Sequence, residues 1–486
     1  APLPPPPPAD APGADTSGGD ALPPPPSPPP PPLLAPPALL PPASPDMLAD
    51  PGYLVDRARF LLRRGMGLQA AQMLAGRPPL ARPAFDPRRW VGVSLAAARA
   101  AATALDAGDA ALVATGAVEG FVPGTDIARQ SFAIRDDYTS LMWLGGTSAL
   151  WQLHDSARAA LLFARYATAA RTPQTRAKGF YWAGRALAAQ RDTPGARGYF
   201  GSAAVYADQY YGQLALERLG LPMPPMADTA HPLPTDSQRA AFQARPITRA
   251  VREVARDADW QTTIKFFREI ANQAQDESDF VLLGDYARTL GRRDLAVVAG
   301  QAAENAGYQN FRSLCFPLMP LPATADFTMV HAITRQESQF SQNALSRTGA
   351  RGLMQLMPST AEGVARHLGL AYSAGALTQD ASFNTALGGA YFAHLLEVFS
   401  GSYPLAIAAY NAGPGAVRRW LGQYGDPRST GADWVEWIEK LPYGETRGYV
   451  QHVIENAVVY EAMNPARASY RGPNPTSHFL GKGGPG

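Results

Sequence analysis

The feature that most limits what this 486-residue chain can fold into is an internal repeat. The stretch WLGGTSALWQLHDSARAALLFA (143–164) aligns without gaps on WAGRALAAQRDTPGARGYFGSA (182–203), an offset of 39 residues. Trp143 falls on Trp182, Gly145 on Gly184, Ala157 on Ala196 and Arg158 on Arg197. A third copy, LLGDYARTLGRRDLAVVAG (282–300), places Gly284 and Ala296 at the same internal spacing. Ala- and Leu-rich units of this length, broken by short polar turns, form helical hairpins that bury a continuous core only against their neighbours. Small residues at fixed places let paired helices approach closely. The fold class expected is all-α, with a superhelical solenoid over 48–322.

The flanks read differently. Residues 1–45 hold 21 of the 47 prolines and almost nothing that could build a core. Such runs favour the extended polyproline II form, so 1–47 is expected to be a Pro-rich disordered leader or tether. Three prolines in FPLMPLPATADF (316–327) break the helical pattern and mark a domain boundary there. Residues 323–470 form a second helical block, richer in Gly, Gln, Asn and Tyr. The tail 471–486, RGPNPTSHFLGKGGPG, is expected to be poorly ordered.

Composition excludes several classes. The formal net charge is +2 and no run of like charges occurs, which argues against a dedicated nucleic-acid binder. A single cysteine, Cys315, excludes an intrachain disulfide and a cysteine-rich metal site. No phosphate-binding loop or metal-ligand spacing is present, so no cofactor or metal is expected. No uninterrupted apolar stretch reaches the ~20 residues of a membrane span. The Ala1 start fits a processed chain that has lost a secretory signal.

The segment AITRQESQF (332–340) carries one carboxylate, Glu337, seven residues after Val330 and four after Ile333. On a 3.6-residue period the three share a helix face that is otherwise apolar. A buried, unpaired carboxylate is costly as the anion and is driven to hold its proton. Three further clusters follow: LSRTGARGLMQLMPSTA (345–361), AAYNAGPGAV (408–417) and LPYGETRGYV (441–450). Taken singly they read as ordinary core, a helix C-cap with its turn, and a surface ion pair between Glu445 and Arg447.

Together, and in this order, the motifs resemble the signatures of the soluble lytic transglycosylases, peptidoglycan-cleaving enzymes with a goose-type-lysozyme-like catalytic domain. The likeness is close over the last third of the chain and looser over the solenoid, where YWAGRALAAQ and YGQLALERLG resemble the family's superhelical region. The resemblance implies a lysozyme-like, mainly α catalytic domain following the solenoid. It implies that Glu337 is the catalytic acid and then base, and that the substrate is met by Ser338, Ser346, Gln355, Met357, Tyr410, Asn411, Glu445, Arg447 and Tyr449. It also implies cleavage between N-acetylmuramic acid and N-acetylglucosamine without water, peptidoglycan strands as the partner, a periplasmic location and a monomer. A hydrolytic muramidase on the same fold, or a non-catalytic wall-binding scaffold using the solenoid, are the rival readings.

Overall fold

The computed structural model describes residues 44–486 except 309 and 323–324. The expectation for the leader therefore lies outside the described residues up to position 43. Regular structure among the described residues is helical, joined only by isolated bridges from Arg351 to Leu345 and to Leu356. The chain divides into two compact units, one ending at Ala196 and the other Arg197–Gly486.

The first unit is a series of short helices: α1 (Pro45–Ala49), α2 (Pro51–Arg63), α3 (Gly67–Ala75), α4 (Pro87–Thr103), α5 (Ala107–Gly116), α6 (Phe132–Thr147), α7 (Ser156–Ala169) and α8 (Pro173–Ala189). Their starts are written in the sequence. Asp50, Asp86, Asp106 and Asp155 each accept from a backbone N–H three residues on, and Pro stands at the head of α1, α2, α4 and α8. Each such cap contributes about 1 kcal/mol. The repeat behaves as expected, because Trp143 of α6 meets Trp182 of α8 edge-on at 6.2 Å. A Cβ at Gly145 would fall 2.3 Å from the Ala114 Cβ, so only glycine permits the approach of α6 to α5 there.

Helix α9 (Thr193–Ala204) crosses the division. The second unit opens with α10 (Tyr210–Leu219), α11 (Asp236–Ala244), α12 (Pro246–Asp257), α13 (Trp260–Asn272), α14 (Glu277–Thr289), α15 (Arg293–Asn305) and α16 (Arg312–Cys315). It continues through α17 (Phe327–Ser338), α18 (Pro358–His367), α19 (Ala376–Gln379), α20 (Ala381–Val398), α21 (Tyr403–Ala412) and α22 (Pro414–Tyr424). Helices α23 (Trp434–Glu439), α24 (Gly444–Met463) and α25 (Pro475–Phe479) complete it. The third repeat copy is the α14–α15 hairpin, where a Cβ on Gly284 would lie 2.7 Å from Leu314. The long helix α24 is the axis of this unit. It buries Val450, Val453, Ile454, Ala457 and Val458 against α17 and α21.

One expectation needs correction, that of a poorly ordered tail. Helix α10 is bonded into the block that follows, so the compact unit begins before the proline break. The Tyr211 hydroxyl donates to Glu439, Tyr210 N donates to Glu455 at 2.7 Å, and Gln213 Nε2 donates to the Glu455 carbonyl at 3.1 Å. The proline break marks a change in texture, whereas side-chain contact across more than two hundred residues sets the compact unit. The tail is also ordered. Phe479 and Leu480 are fully buried, and the Glu217 carboxylate accepts from Thr476 N, Ser477 N, Ser477 Oγ and Gly486 N. Four donors onto one buried carboxylate offset the poor helix chemistry of a Gly- and Pro-rich segment.

Candidate active site

Helix α17 presents the candidate acid. It is started by Asp326, whose side chain accepts from Met329 N at 2.9 Å. Val330 and Ile333 are completely buried and Glu337 lies one residue before the helix ends, on the same face and partly buried. Termination is abrupt, since Gln339 (φ 50°) and Phe340 (φ 67°) both adopt the left-handed conformation. The helix is anchored at its other end by His331. Its Nδ1 donates to the Phe327 carbonyl and its Nε2 accepts from Met319 N, which fixes a neutral ring. Burial pushes that imidazole down to about 4.

The loop opposite Glu337 is built by backbone geometry. Gly352 (φ 76°) could carry no Cβ, which would stand 2.0 Å from the Leu377 carbonyl oxygen. Asn384, fully buried, pins the loop by accepting from Met354 N at 2.9 Å and donating to the carbonyls of Arg351 and Leu377 at 3.0 Å. Ser338 ties α17 to this loop, with its buried hydroxyl donating to the Leu353 carbonyl at 2.7 Å. The structure thus gives Ser338 a role in holding the loop, because its hydroxyl is spent on backbone.

Gln355 sits in the same loop with φ 46°, an unusual value for a non-glycine residue. Its Nε2 donates to the carbonyls of Gly352 (2.8 Å) and Ala344 (3.3 Å). Met357 is 39% exposed at the head of α18, available for contact with a ligand. Ser346 hydrogen-bonds within its own turn, to Ala350 N at 2.9 Å and Thr348 Oγ1 at 3.0 Å. It makes no bond to Glu337.

The remaining residues come from α21 and α24. The Tyr449 hydroxyl donates to Glu337 Oε1 at 2.6 Å. Tyr410 donates to the Met354 carbonyl at 2.8 Å, and its hydroxyl, like that of Tyr449, is held far above its ordinary value by burial and by the nearby Glu337 charge. Asn411 Oδ1 accepts from Thr446 Oγ1 at 2.7 Å. Glu445 is exposed in the first turn of α24. Arg447 does not pair with it among the described residues; its Nη1 donates to the Glu439 carbonyl at 2.7 Å. Helix geometry explains this, since residues two apart point to different sides of α24.

Burial raises the Glu337 carboxyl from 4.5 to about 7, the Tyr449 hydrogen bond opposes the rise, and the Glu445 charge adds to it. A carboxyl with that setting holds a proton near neutrality and can both give and retake it. Of the residues in the sequence motifs, Tyr449 bonds Glu337 directly and Tyr410 lies near enough to be influenced by its charge. Thr446, which bonds Asn411, and Asn384, which pins the loop, were not singled out from the sequence. Thr446 stands inside a quoted motif, whereas nothing in FNTALGG marks Asn384. Among the described residues no cluster of His, Cys, Asp or Glu could hold a metal ion, and no helix is long and apolar enough to cross a membrane.

Comparison with known proteins places this geometry. Residues 323–430 match the family model described as Transglycosylase SLT domain. The chain is 39% identical over 131 residues to the soluble lytic murein transglycosylase of Escherichia coli K12, covering 26% of this chain and 20% of that protein. It is 35% identical over 200 residues to the putative soluble lytic murein transglycosylase of Haemophilus influenzae, covering 39% and 32%. The matched segments thus span a fifth to a third of the length of these relatives. The fold resembles that of the 70-kDa soluble lytic transglycosylase of E. coli, with a TM-score of 0.52, 21% identity, and coverage of 89% of this chain and 75% of that one. Residues 323–430 thus carry a match to the SLT domain, and in that part the chain is similar to the soluble lytic murein transglycosylases.

Proposed function

We propose that the chain is a lytic transglycosylase that cleaves the β-1,4 bond between N-acetylmuramic acid and N-acetylglucosamine and leaves 1,6-anhydro ends. The observation that carries this is Glu337, a single carboxyl held at about 7 by burial. Glycosidases that work with two carboxylates set them on either side of the scissile bond. Here the other nearby acid, Glu445, is exposed and acts on Glu337 only through its charge. One carboxyl suffices if the substrate supplies the rest. Protonated Glu337 gives its proton to the glycosidic oxygen as the bond breaks. The muramic acid acetamido oxygen supports the positive anomeric carbon. Glu337, now a carboxylate, takes the proton of the same sugar's 6-hydroxyl, whose oxygen bonds to the anomeric carbon. No water is consumed.

Tyr449 holds the carboxyl orientation through both steps, and Tyr410 braces the loop that carries Gln355. The substrate is a wall polymer, so the site of action is the periplasm, with glycan strands as the partner. The domain reading that accompanies this is a solenoid over 48–322 serving a catalytic block over 323–470. The test is mass spectrometry of fragments released from purified sacculi by wild type and by Glu337→Gln. Products one water lighter than reducing sugars, absent with the variant, support the reading. Reducing ends in their place would convert it to a muramidase.

A further inference from the structure

The chain leaves α16 at Cys315 and runs through 316–319 without regular structure, with Pro317 inside this stretch and Pro320 directly after it. Side chains from three helices take up its carbonyls instead. Arg335 Nε of α17 donates to the Cys315 carbonyl at 2.8 Å, and the Tyr460 hydroxyl of α24 to that of Pro317 at 3.2 Å. Arg293 Nε of α15 donates to the Leu318 carbonyl at 2.9 Å. The Met319 amide donates to His331 Nε2 at 3.1 Å. The Phe316 ring lies 4.1 Å from the Arg335 guanidinium carbon and meets Tyr460 edge-on at 5.4 Å. The stretch is a strap along the back of α17, which grips it twice, through His331 and Arg335, one turn apart on one face.

Arg335 is the part of this grip nearest the candidate acid. Its carbonyl accepts from Gln339 N at 3.2 Å, the bond that closes the last turn of α17. Its side chain leaves from the back of that turn, whereas Glu337, two residues on, meets Tyr449 on another side. A guanidinium held at once by a charge-assisted hydrogen bond and a stacked ring leaves that turn little freedom to shift. We propose that Arg335 is a positioning residue: it clamps the last turn of α17 to the strap and so keeps Glu337 in reach of Tyr449 and shielded from water. The Arg335 charge is felt by Glu304 of α15, His452 of α24 and the Cys315 thiol, and Glu304 also faces Asp208 and Arg312. Glu337 itself answers to the Tyr449 hydrogen bond and the Glu445 charge, and Arg335 acts on it through position. The inference rests on Glu337 being the acid of the reaction proposed above, and it names what holds that acid from behind.

The experiment compares the full chain as wild type, Arg335→Met, Arg335→Lys and Glu217→Ala in two measurements. The first is the pH–rate profile on purified sacculi. A loosened turn admits water to Glu337, so in Arg335→Met the basic limb moves from about 7 toward 4.5 and kcat falls about tenfold. Loss of a positive charge alone would move the limb the other way. Arg335→Lys keeps the charge and a donor for the Cys315 carbonyl, and brings the limb most of the way back. Glu217→Ala, which loosens the same unit at its tail, keeps the wild-type limb. The second measurement needs no substrate. Cys315 is the only cysteine of the chain and is fully buried, with α15 so close that a Cβ on Gly300 would stand 2.6 Å from its Sγ. Release of the strap exposes that thiol, so labelling by an aromatic disulfide reagent quickens about tenfold in Arg335→Met and stays at the wild-type rate in Glu217→Ala. A limb that stays or rises in Arg335→Met, or that Glu217→Ala moves as far, overturns the inference, as does labelling of Arg335→Met no faster than wild type. Turnover that survives Glu337→Gln sinks the transglycosylase reading instead, while the labelling still decides whether Arg335 holds the strap.

Discussion

The hydroxyl of Tyr449 stands 2.6 Å from Oε1 of Glu337 and joins the start of α24 to the last turn of α17. That bond favours the ionised acid and opposes the upward push of burial. Tyr449→Phe is therefore expected to raise the proton affinity of Glu337 further. The basic limb of the pH–rate profile should move to higher pH, while kcat falls roughly tenfold through lost orientation. A limb that moved to lower pH would contradict the assignment of the hydrogen bond.

Glu445 acts in the other direction, adding to the rise through its charge alone. In Glu445→Gln the basic limb should move to lower pH. Because Glu445 is exposed, the displacement should shrink as salt rises from 0.05 to ~0.5 M, where the screening length is only a few ångströms. A displacement indifferent to salt would point to a contact instead of a field.

Glu337 and His331 should give stability opposite slopes in pH. Above 4.5 the unfolded chain ionises Glu337 while the folded one holds its proton up to about 7, so stability falls as pH rises through that window. His331 is held neutral down to about 4, below its ordinary 6.5, so stability falls as pH drops from 6.5 toward 4. Each amounts to at most about 3 kcal/mol, and over the shared range they offset one another. Glu337→Gln should therefore gain stability at pH 8, lose that gain near pH 4, and unmask the histidine slope in urea titrations.

The tail offers a test of packing. Glu217→Ala leaves two backbone donors in the α25 turn and one at Gly486 without their acceptor. A cost of about 2–4 kcal/mol is expected, with residues 471–486 becoming the first site of cleavage in limited proteolysis. Cleavage elsewhere first would show that the tail is held by Phe479 and Leu480 alone.

What the sequence made legible were the residues whose role is local or periodic. Glu337 stood out because it broke an apolar face, and the repeat stood out because Trp and Gly recurred at one spacing. What was not legible depended on contacts distant in the chain. The tail looked unable to form a core, yet its order rests on Glu217, 259 residues away from Thr476. Arg447 was adjacent to an acid in sequence but turned to a backbone carbonyl. Ser346 and Ser338 carry hydroxyls of the right kind, and both bond to the backbone of the loop.

The place where α17 stops has an electrostatic consequence. The last turn of a helix exposes carbonyl oxygens that lack N–H partners and carry about half a negative charge between them. Gln339 and Phe340, both left-handed, end the helix directly after Ser338, so Glu337 resides in that negative terminus. The helix dipole therefore holds the proton on Glu337 from below, as a fixed field requiring no neighbouring side chain. Were α17 to continue by two turns, the same glutamate in the same apolar surroundings would be a stronger acid.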